Sequence, residues 1–320
     1  MFYVKVIKVS IKPIFITIKI SFNKFWILFK FKKCKFINKF IFAFIKLNII
    51  MSNGLLKGKK GIIFGALNEQ SIAWKVAERA AEEGAEIVLT NAPIAMRMGE
   101  INKLGEKINA KIIPADATSI EDLENLIDQS MEIFGGKFDF MLHSIGMSVN
   151  VRKGRHYTDE NYDWTMKGLD VSALSFHKLM QTAMKKDAIN DWGSILGLTY
   201  IAAQKVFPDY NDMADNKSYL ESIARSFGYH YGIKKNVRVN TISQSPTMTT
   251  AGSGVKGFNE FINFSEQMSP LGNASALDCA NYCISMFSDL TRMVTMQNLF
   301  HDGGYSSTGV TQQVIEKFSE

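Results

Sequence analysis

The run Gly61-Ile62-Ile63-Phe64-Gly65-Ala66-Leu67-Asn68-Glu69-Gln70-Ser71-Ile72-Ala73 decides how this chain of 320 residues folds. A short β-branched and aromatic stretch ends at a glycine. Past a serine it gives way to a segment in which Ile72, Val76, Ala77, Ala80 and Ala81 recur at helical spacing. Gly84 stands where a left-handed residue would close that helix, and Glu86-Ile87-Val88-Leu89 follows as a second strand. This is a βαβ unit. Its first turn is where a dinucleotide fold aims backbone N–H groups at a pyrophosphate. The G-x-G-x-x-G pattern is missing, but Gly65 can supply the tight turn, and Ser71 can cap the helix and offer its hydroxyl to a phosphate oxygen. Taken alone, the turn reads equally well as a glycine turn with an ordinary serine cap.

Outward from this unit the same alternation continues. Further strands are expected at Lys111-Ile112-Ile113-Pro114, Phe138 to Leu142, Ser194 to Leu198, Val237 to Thr241 and Thr295 to Phe300. The expected fold class is α/β: a Rossmann-like, doubly wound, seven-stranded parallel sheet with helices on both faces. No Pro- or Gly-rich linker interrupts residues 55 to 320, so 51–320 reads as a single domain.

The charge is unevenly placed. The formal net charge is +6, yet residues 1–50 hold eleven lysines and no Asp, Glu or Arg, leaving the remainder at −5. A mildly acidic body gives no basic groove for nucleic acid. Residues 1–50 are almost wholly Phe, Ile, Lys and Asn. They read as an extension outside the fold, with Met51 the expected start of the functional chain. Lysines break the apolar runs well short of the roughly 18 residues a membrane span needs. The cysteines are Cys34, Cys279 and Cys283, too few for a disulfide framework, so a reducing cytoplasm and no metal site are expected. Cys279 and Cys283 lie on one helical face and read as core.

Other segments fall where strands end. Asp116-Ala117 follows the third strand, its carboxylate suited to an adenine amino group or to a helix cap. His143-Ser144-Ile145-Gly146 follows the fourth, with His143 read as a buried, satisfied residue. Two tyrosine–lysine pairs compete: Tyr210-x6-Lys217 at the start of a long helix, and Tyr231-x3-Lys235 at its far end.

Taken together, Gly65-x5-Ser71-Ile72-Ala73, His143-Ser144-Ile145-Gly146, Tyr200 and Tyr210 with Lys217, and Asp302-Gly303-Gly304 resemble the bacterial enoyl-(acyl-carrier-protein) reductases of the short-chain dehydrogenase superfamily. The likeness spans about Gly54 to Thr308. It implies hydride transfer from NADH to a trans-2-enoyl chain on acyl carrier protein in fatty-acid elongation. Reduction of a conjugated C=C leaves negative charge on the thioester oxygen, which a phenol hydroxyl can meet. The resemblance gives that role to Tyr210, with Tyr200 assisting and Lys217 holding the ribose and easing phenolate character. It gives cofactor contacts to Gly65, Ser71, Ile72, Asp116, Ala117, Ser144, Ile145 and Gly146, and to Thr247, Met248, Thr249, Thr250 and Ala251 in a loop after the sixth strand. Ser148 would line the substrate side. Ser245 stands where Gly is common and Thr247 where Ile is common. The second strand ends without an acidic residue for a ribose 2′-hydroxyl, Arg97 lies distant for a 2′-phosphate, and Ala92 stands where the family often has Gln; the coenzyme expected is NADH, with NADPH the alternative. A homotetramer is implied by resemblance alone. The rival readings are a carbonyl (3-oxoacyl) reductase using the same tyrosine on a C=O, a class whose commoner Tyr-x3-Lys spacing Tyr231 and Lys235 show, and a non-catalytic dinucleotide sensor.

Overall fold

The computed structural model describes residues 5–12, 15–22, 25–32, 53–97, 100–249 and 257–319. The chain divides into two compact units, Met1–Ser52 and Asn53–Glu320. In the first, strands β1 (Lys5–Lys12), β2 (Phe15–Phe22) and β3 (Phe25–Lys32) form an antiparallel sheet in the order β1-β2-β3. Their Ile, Val and Phe content suits the pleat.

The second unit is built on strands β4 (Lys60–Phe64), β5 (Glu86–Thr90), β6 (Lys111–Ile112), β7 (Phe138–His143), β8 (Ile189–Thr199), β9 (Arg238–Gln244) and β10 (Asn298–His301). They form a parallel sheet in the order β10-β9-β8-β7-β4-β5-β6. Neighbouring β4 and β7 lead away to opposite sides of the sheet, the switch point at which such folds bind ligands. The principal helices are α1 (Ile72–Glu82), α2 (Glu100–Ile108), α3 (Ile120–Phe134), α4 (Ser175–Lys185), α5 (Asn211–Lys235), α6 (Phe258–Met268) and α7 (Ala276–Phe287).

Strand residues alternate between two cores, as the period of two demands. Ile62, Phe64, Val88, Met141, Ile195 and Val239 pack with Leu123, Ile127, Phe176, Leu179, Leu220 and Ile223 from α3, α4 and α5. Ile63, Leu89, Phe140, Leu142, Leu196 and Ile242 pack on the other face with Trp74, Val76, Leu104, Ile284 and Phe287 from α1, α2 and α7. Cys279 and Cys283 are wholly buried in that second core.

The seven expected strands all form, with shifted ends. The last begins at Asn298 rather than Thr295, because Met296 takes φ 62° and turns the chain before the regular ladder starts. Among the described residues no helix is long and apolar enough to cross a membrane.

Candidate active site

The carboxyl ends of β4, β5, β7, β8 and β9 gather the candidate residues along one edge. Gly65 leaves β4 with φ 91°, and its N–H donates to the Thr90 carbonyl at 3.2 Å. A Cβ there would lie 2.1 Å from the carbonyl oxygen of Ser144. Conformation and space both demand glycine. Across the turn, Asn91 Nδ2 donates to the Ala66 carbonyl at 3.3 Å. The buried Thr90 hydroxyl has no hydrogen-bond partner among the described residues.

Ser71 departs from expectation. It occupies the N-cap position of α1, but no side chain caps that helix. Its hydroxyl instead accepts from the Leu67 N–H at 3.2 Å and donates to the Asn68 carbonyl at 2.7 Å, closing the turn on itself. Asp116 is likewise not a cap. Its Oδ1 accepts from the N–H and hydroxyl of Thr118 at 2.9 and 2.7 Å, while Ser119 caps α3. Ala117 sends its methyl into the core, and Ile72 and Ile145 pack at the edges of the two cores.

Beyond β7, His143 is fully buried against Phe176, with Nε2 2.8 Å from Ser175 Oγ. The Ser175 hydroxyl spends its proton on the Val171 carbonyl at 2.7 Å, so Nε2 of His143 is the donor and Nδ1 is left as an unpaired acceptor. Burial, and secondarily the charge of Lys217, drives this imidazole down to about 3. The buried histidine expected from the sequence is therefore only half satisfied. At Gly146 a Cβ would meet Met213 Cε at 2.6 Å and Lys217 Nζ at 3.6 Å, so backbone and lysine lie in close approach. Ser148 turns inward: its hydroxyl donates to Asp212 Oδ1 at 2.5 Å and accepts from Val151 N–H at 3.0 Å. That engagement, rather than an open face toward substrate, is what the fold gives it.

Tyr200 immediately follows β8 and Tyr210 sits at the N-cap of α5. Both chain neighbours of Tyr210 are strained, Asp209 at φ 64° and Asn211 at φ 43°. Asn211 is tied down by Nδ2 donating to the Arg155 carbonyl at 2.5 Å. Lys217, one and a half turns into α5, donates from Nζ to the Leu198 carbonyl at 2.8 Å. Burial lowers Lys217 to about 8, raises Tyr210 to about 12, and raises Tyr200 further still. Burial sets the Tyr210 hydroxyl here, and Lys217 Nζ gives one of its three donors to the Leu198 carbonyl. Both phenols are neutral donors at physiological pH. The buried Tyr200 hydroxyl has no hydrogen-bond partner among the described residues.

The competing pair is occupied elsewhere. Tyr231 donates to the Met180 carbonyl at 2.8 Å; Lys235 donates to the Ile189 carbonyl at 2.9 Å and pairs with Asp187. In the loop after β9, the Thr247 hydroxyl donates to the Ser245 carbonyl at 2.9 Å and accepts from Gln244 Nε2 at 3.2 Å, Met248 is exposed and Thr249 half-buried. Thr250 and Ala251 lie outside the described residues. Asp302 closes a turn, its carboxylate accepting from the N–H groups of Gly304 and Ser306 at 3.1 and 3.0 Å.

Sequence reasoning passed over Thr90 and the buried Asp212. The Asp212 carboxylate accepts from Ser148 and from Asn150 Nδ2 at 3.3 Å, and its N–H donates to Glu160 Oε1 at 2.8 Å, which fixes the start of α5. The available signal was Asp212 and Asn216, polar residues four apart and on the same helical face as the apolar Leu220 and Ile223. Among the described residues no cluster of His, Cys, Asp and Glu could hold a metal ion.

A family model described as Enoyl-(Acyl carrier protein) reductase matches residues 65–306. The enoyl-(acyl-carrier-protein) reductase (NADH) 2 of Rhizobium meliloti is 33% identical over 261 residues, covering 81% of this chain and 95% of that protein. The Rickettsia bellii enoyl-(acyl-carrier-protein) reductase (NADH) FabI is 35% identical over 262 residues, covering 81% and 98%. Among solved structures, the FabI–NADH complex from Alistipes finegoldii matches with a TM-score of 0.80 at 71% identity, covering 81% of this chain and 91% of that one.

Proposed function

This chain belongs to the enoyl-(acyl carrier protein) reductase family, and from that membership we propose how its own residues divide the work. It is an NADH-dependent oxidoreductase of fatty-acid synthesis that reduces the double bond of an enoyl chain carried by acyl carrier protein. When bound, NADH supplies the hydride.

The residues present fit that group. Gly65, at φ 91°, lets the turn after β4 come into close contact with the Ser144 backbone where no Cβ could fit, and the buried Thr90 hydroxyl at the end of β5 has no partner among the described residues. Gly65, Ser71, Ile72 and the backbone of Ser144, Ile145 and Gly146 hold the dinucleotide, with Asp116 and Ala117 toward the adenine end. Thr247, Met248 and Thr249 would border the nicotinamide, while the expected contacts of Thr250 and Ala251 fall outside the described residues. The Lys217 cation hydrogen-bonds the ribose. Tyr210, a neutral phenol, donates to the thioester oxygen as charge gathers there; in a dry site such a donor is worth about 3–4 kcal/mol. Tyr200 lines the same wall, and Ser148 acts one step back by bracing Asp212.

A single chain of contacts carries this reading. Gly65 meets Ser144, Gly146 meets Lys217, Lys217 bonds Leu198, and two residues later Tyr200 packs on Tyr210. The commitment of Tyr231 and Lys235 to backbone carbonyls disfavours the carbonyl-reductase alternative. We further propose a homotetramer working in the cytoplasm, consistent with the free thiols of Cys279 and Cys283, and that the body from Met51 suffices for activity.

The test is loss of NADH absorbance with a trans-2-enoyl thioester, for the full chain and for one begun at Met51, with NADPH and a 3-oxoacyl thioester in parallel. NADH-dependent turnover of the enoyl substrate by both chains is expected. Turnover of the 3-oxoacyl thioester alone would overturn the assignment of Tyr210, and silence with both would favour a sensor. Sedimentation analysis checks the tetramer.

A further inference from the structure

Glu221 lies one turn beyond Lys217 on α5 and is 4% exposed. A carboxylate is rarely buried so deeply unless its oxygens are engaged. Oε1 accepts from the Thr199 hydroxyl at 2.9 Å and from Asn298 Nδ2 at 3.1 Å; Oε2 accepts from Gln204 Nε2 at 3.1 Å. The three donors belong to three segments: the end of β8 next to Tyr200, the turn leading from Tyr200 toward Tyr210, and the first residue of β10.

All three donors are neutral. Among the described residues, the charges that act on Glu221 are Lys217 and Arg225, both on its own helix. From β7, His143 faces Lys217 and is uncharged. A purely structural bracket could use a neutral amide at lower desolvation cost. The carboxyl lies one turn from the buried Lys217 on the same helix and its charge acts on that ammonium, while burial raises Glu221 itself above the ordinary carboxylate range.

We propose that Glu221 is a positioning residue of the reducing centre: through Thr199 and Gln204 it fixes the strand end and turn that carry Tyr200 and Tyr210, and it supplies the counter-charge to Lys217. The inference rests on the roles given to Tyr210 and Lys217 above. In support, burial pulls Lys217 down to about 8, and Glu221 is the neighbour that opposes this.

The test compares Glu221→Gln with the parent, full-length, by NADH fluorescence titration across pH, by kcat with an enoyl thioester, and by thermal midpoint. Loss of the counter-charge favours neutral Lys217. The pH at which NADH binding weakens therefore moves acidward by about one unit, and kcat falls about tenfold at an unchanged midpoint. An unmoved binding limb overturns the proposal. If Glu221→Gln does not fold, Thr199→Val decides: kcat reduced threefold or more at an unchanged midpoint supports the bracket, and parental kcat overturns it. A parent that binds NADH but ignores enoyl thioesters would refute the reductase reading while leaving the binding limb measurable.

Discussion

Tyr200 and Tyr210 meet edge to face, their ring centroids 5.4 Å apart and their planes at 61°. Phe207 and Phe261 pack on Tyr200 at 5.4 and 6.3 Å, and Tyr305 adds a further ring beside both phenylalanines. The rings are each partly buried, and burial at this wall pushes both phenols above their ordinary range, so each hydroxyl keeps its proton.

Removal of that donor isolates its share. Tyr210→Phe keeps the ring packing and is expected to lower kcat by about 10²–10³ with NADH affinity unchanged. Steady-state rates and fluorescence titration check this; undiminished turnover would remove Tyr210 from the chemistry.

Lys217 sets an alkaline limit. Its folded value of about 8 lies below its ordinary 10.5, so the cation proposed to hold NADH is present below about 8 and is lost as pH rises through it. The pH profile of kcat/KM for NADH should fall above pH 8, and Lys217→Met should bind NADH weakly at every pH. A flat profile to pH 9 would contradict this.

Gly65→Ala probes the turn after β4. With φ at 91° and a Cβ 2.1 Å from the Ser144 oxygen, the substitution costs on the order of 1–3 kcal/mol in backbone strain before any displacement. We expect a lower thermal midpoint and NADH binding weakened at least about tenfold; parental binding would place the dinucleotide elsewhere.

His143 governs acid sensitivity. Its folded pKa of about 3 lies below the ordinary 6.5, so the unfolded chain takes up a proton first. Stability is full above pH 6.5 and declines as pH falls toward 3, by at most about 1.4 kcal/mol per pH unit from this group. Denaturant midpoints at pH 7, 5 and 4 should fall less steeply in His143→Gln than in the parent, and identical slopes would clear His143 of the effect.

Much of the fold was legible because strand and helix periods are local properties. The runs around Ile62, Val88, Met141, Ile195 and Val239 alternate in just the way two cores require, and each became a strand. Order along the chain also separated Tyr210 and Lys217 from Tyr231 and Lys235, since only the first pair lies near the carboxyl end of a strand. Less legible were the targets of short polar side chains. Ser71, Asp116 and Ser148 each have several backbone donors and acceptors within reach, and the turn conformation chooses among them.

By itself the sequence determined the doubly wound sheet and the family, because hydrophobic periodicity and residue spacing do not depend on distant contacts. The tertiary structure alone decided the electrical state of the buried side chains. Lys217 bonds a strand carbonyl, His143 keeps one bare nitrogen, and Glu221 finds three donors from segments 17 to 77 residues away. Protonation and hydrogen bonding depend on what burial brings within about 3 Å, and that is a property of the packed chain.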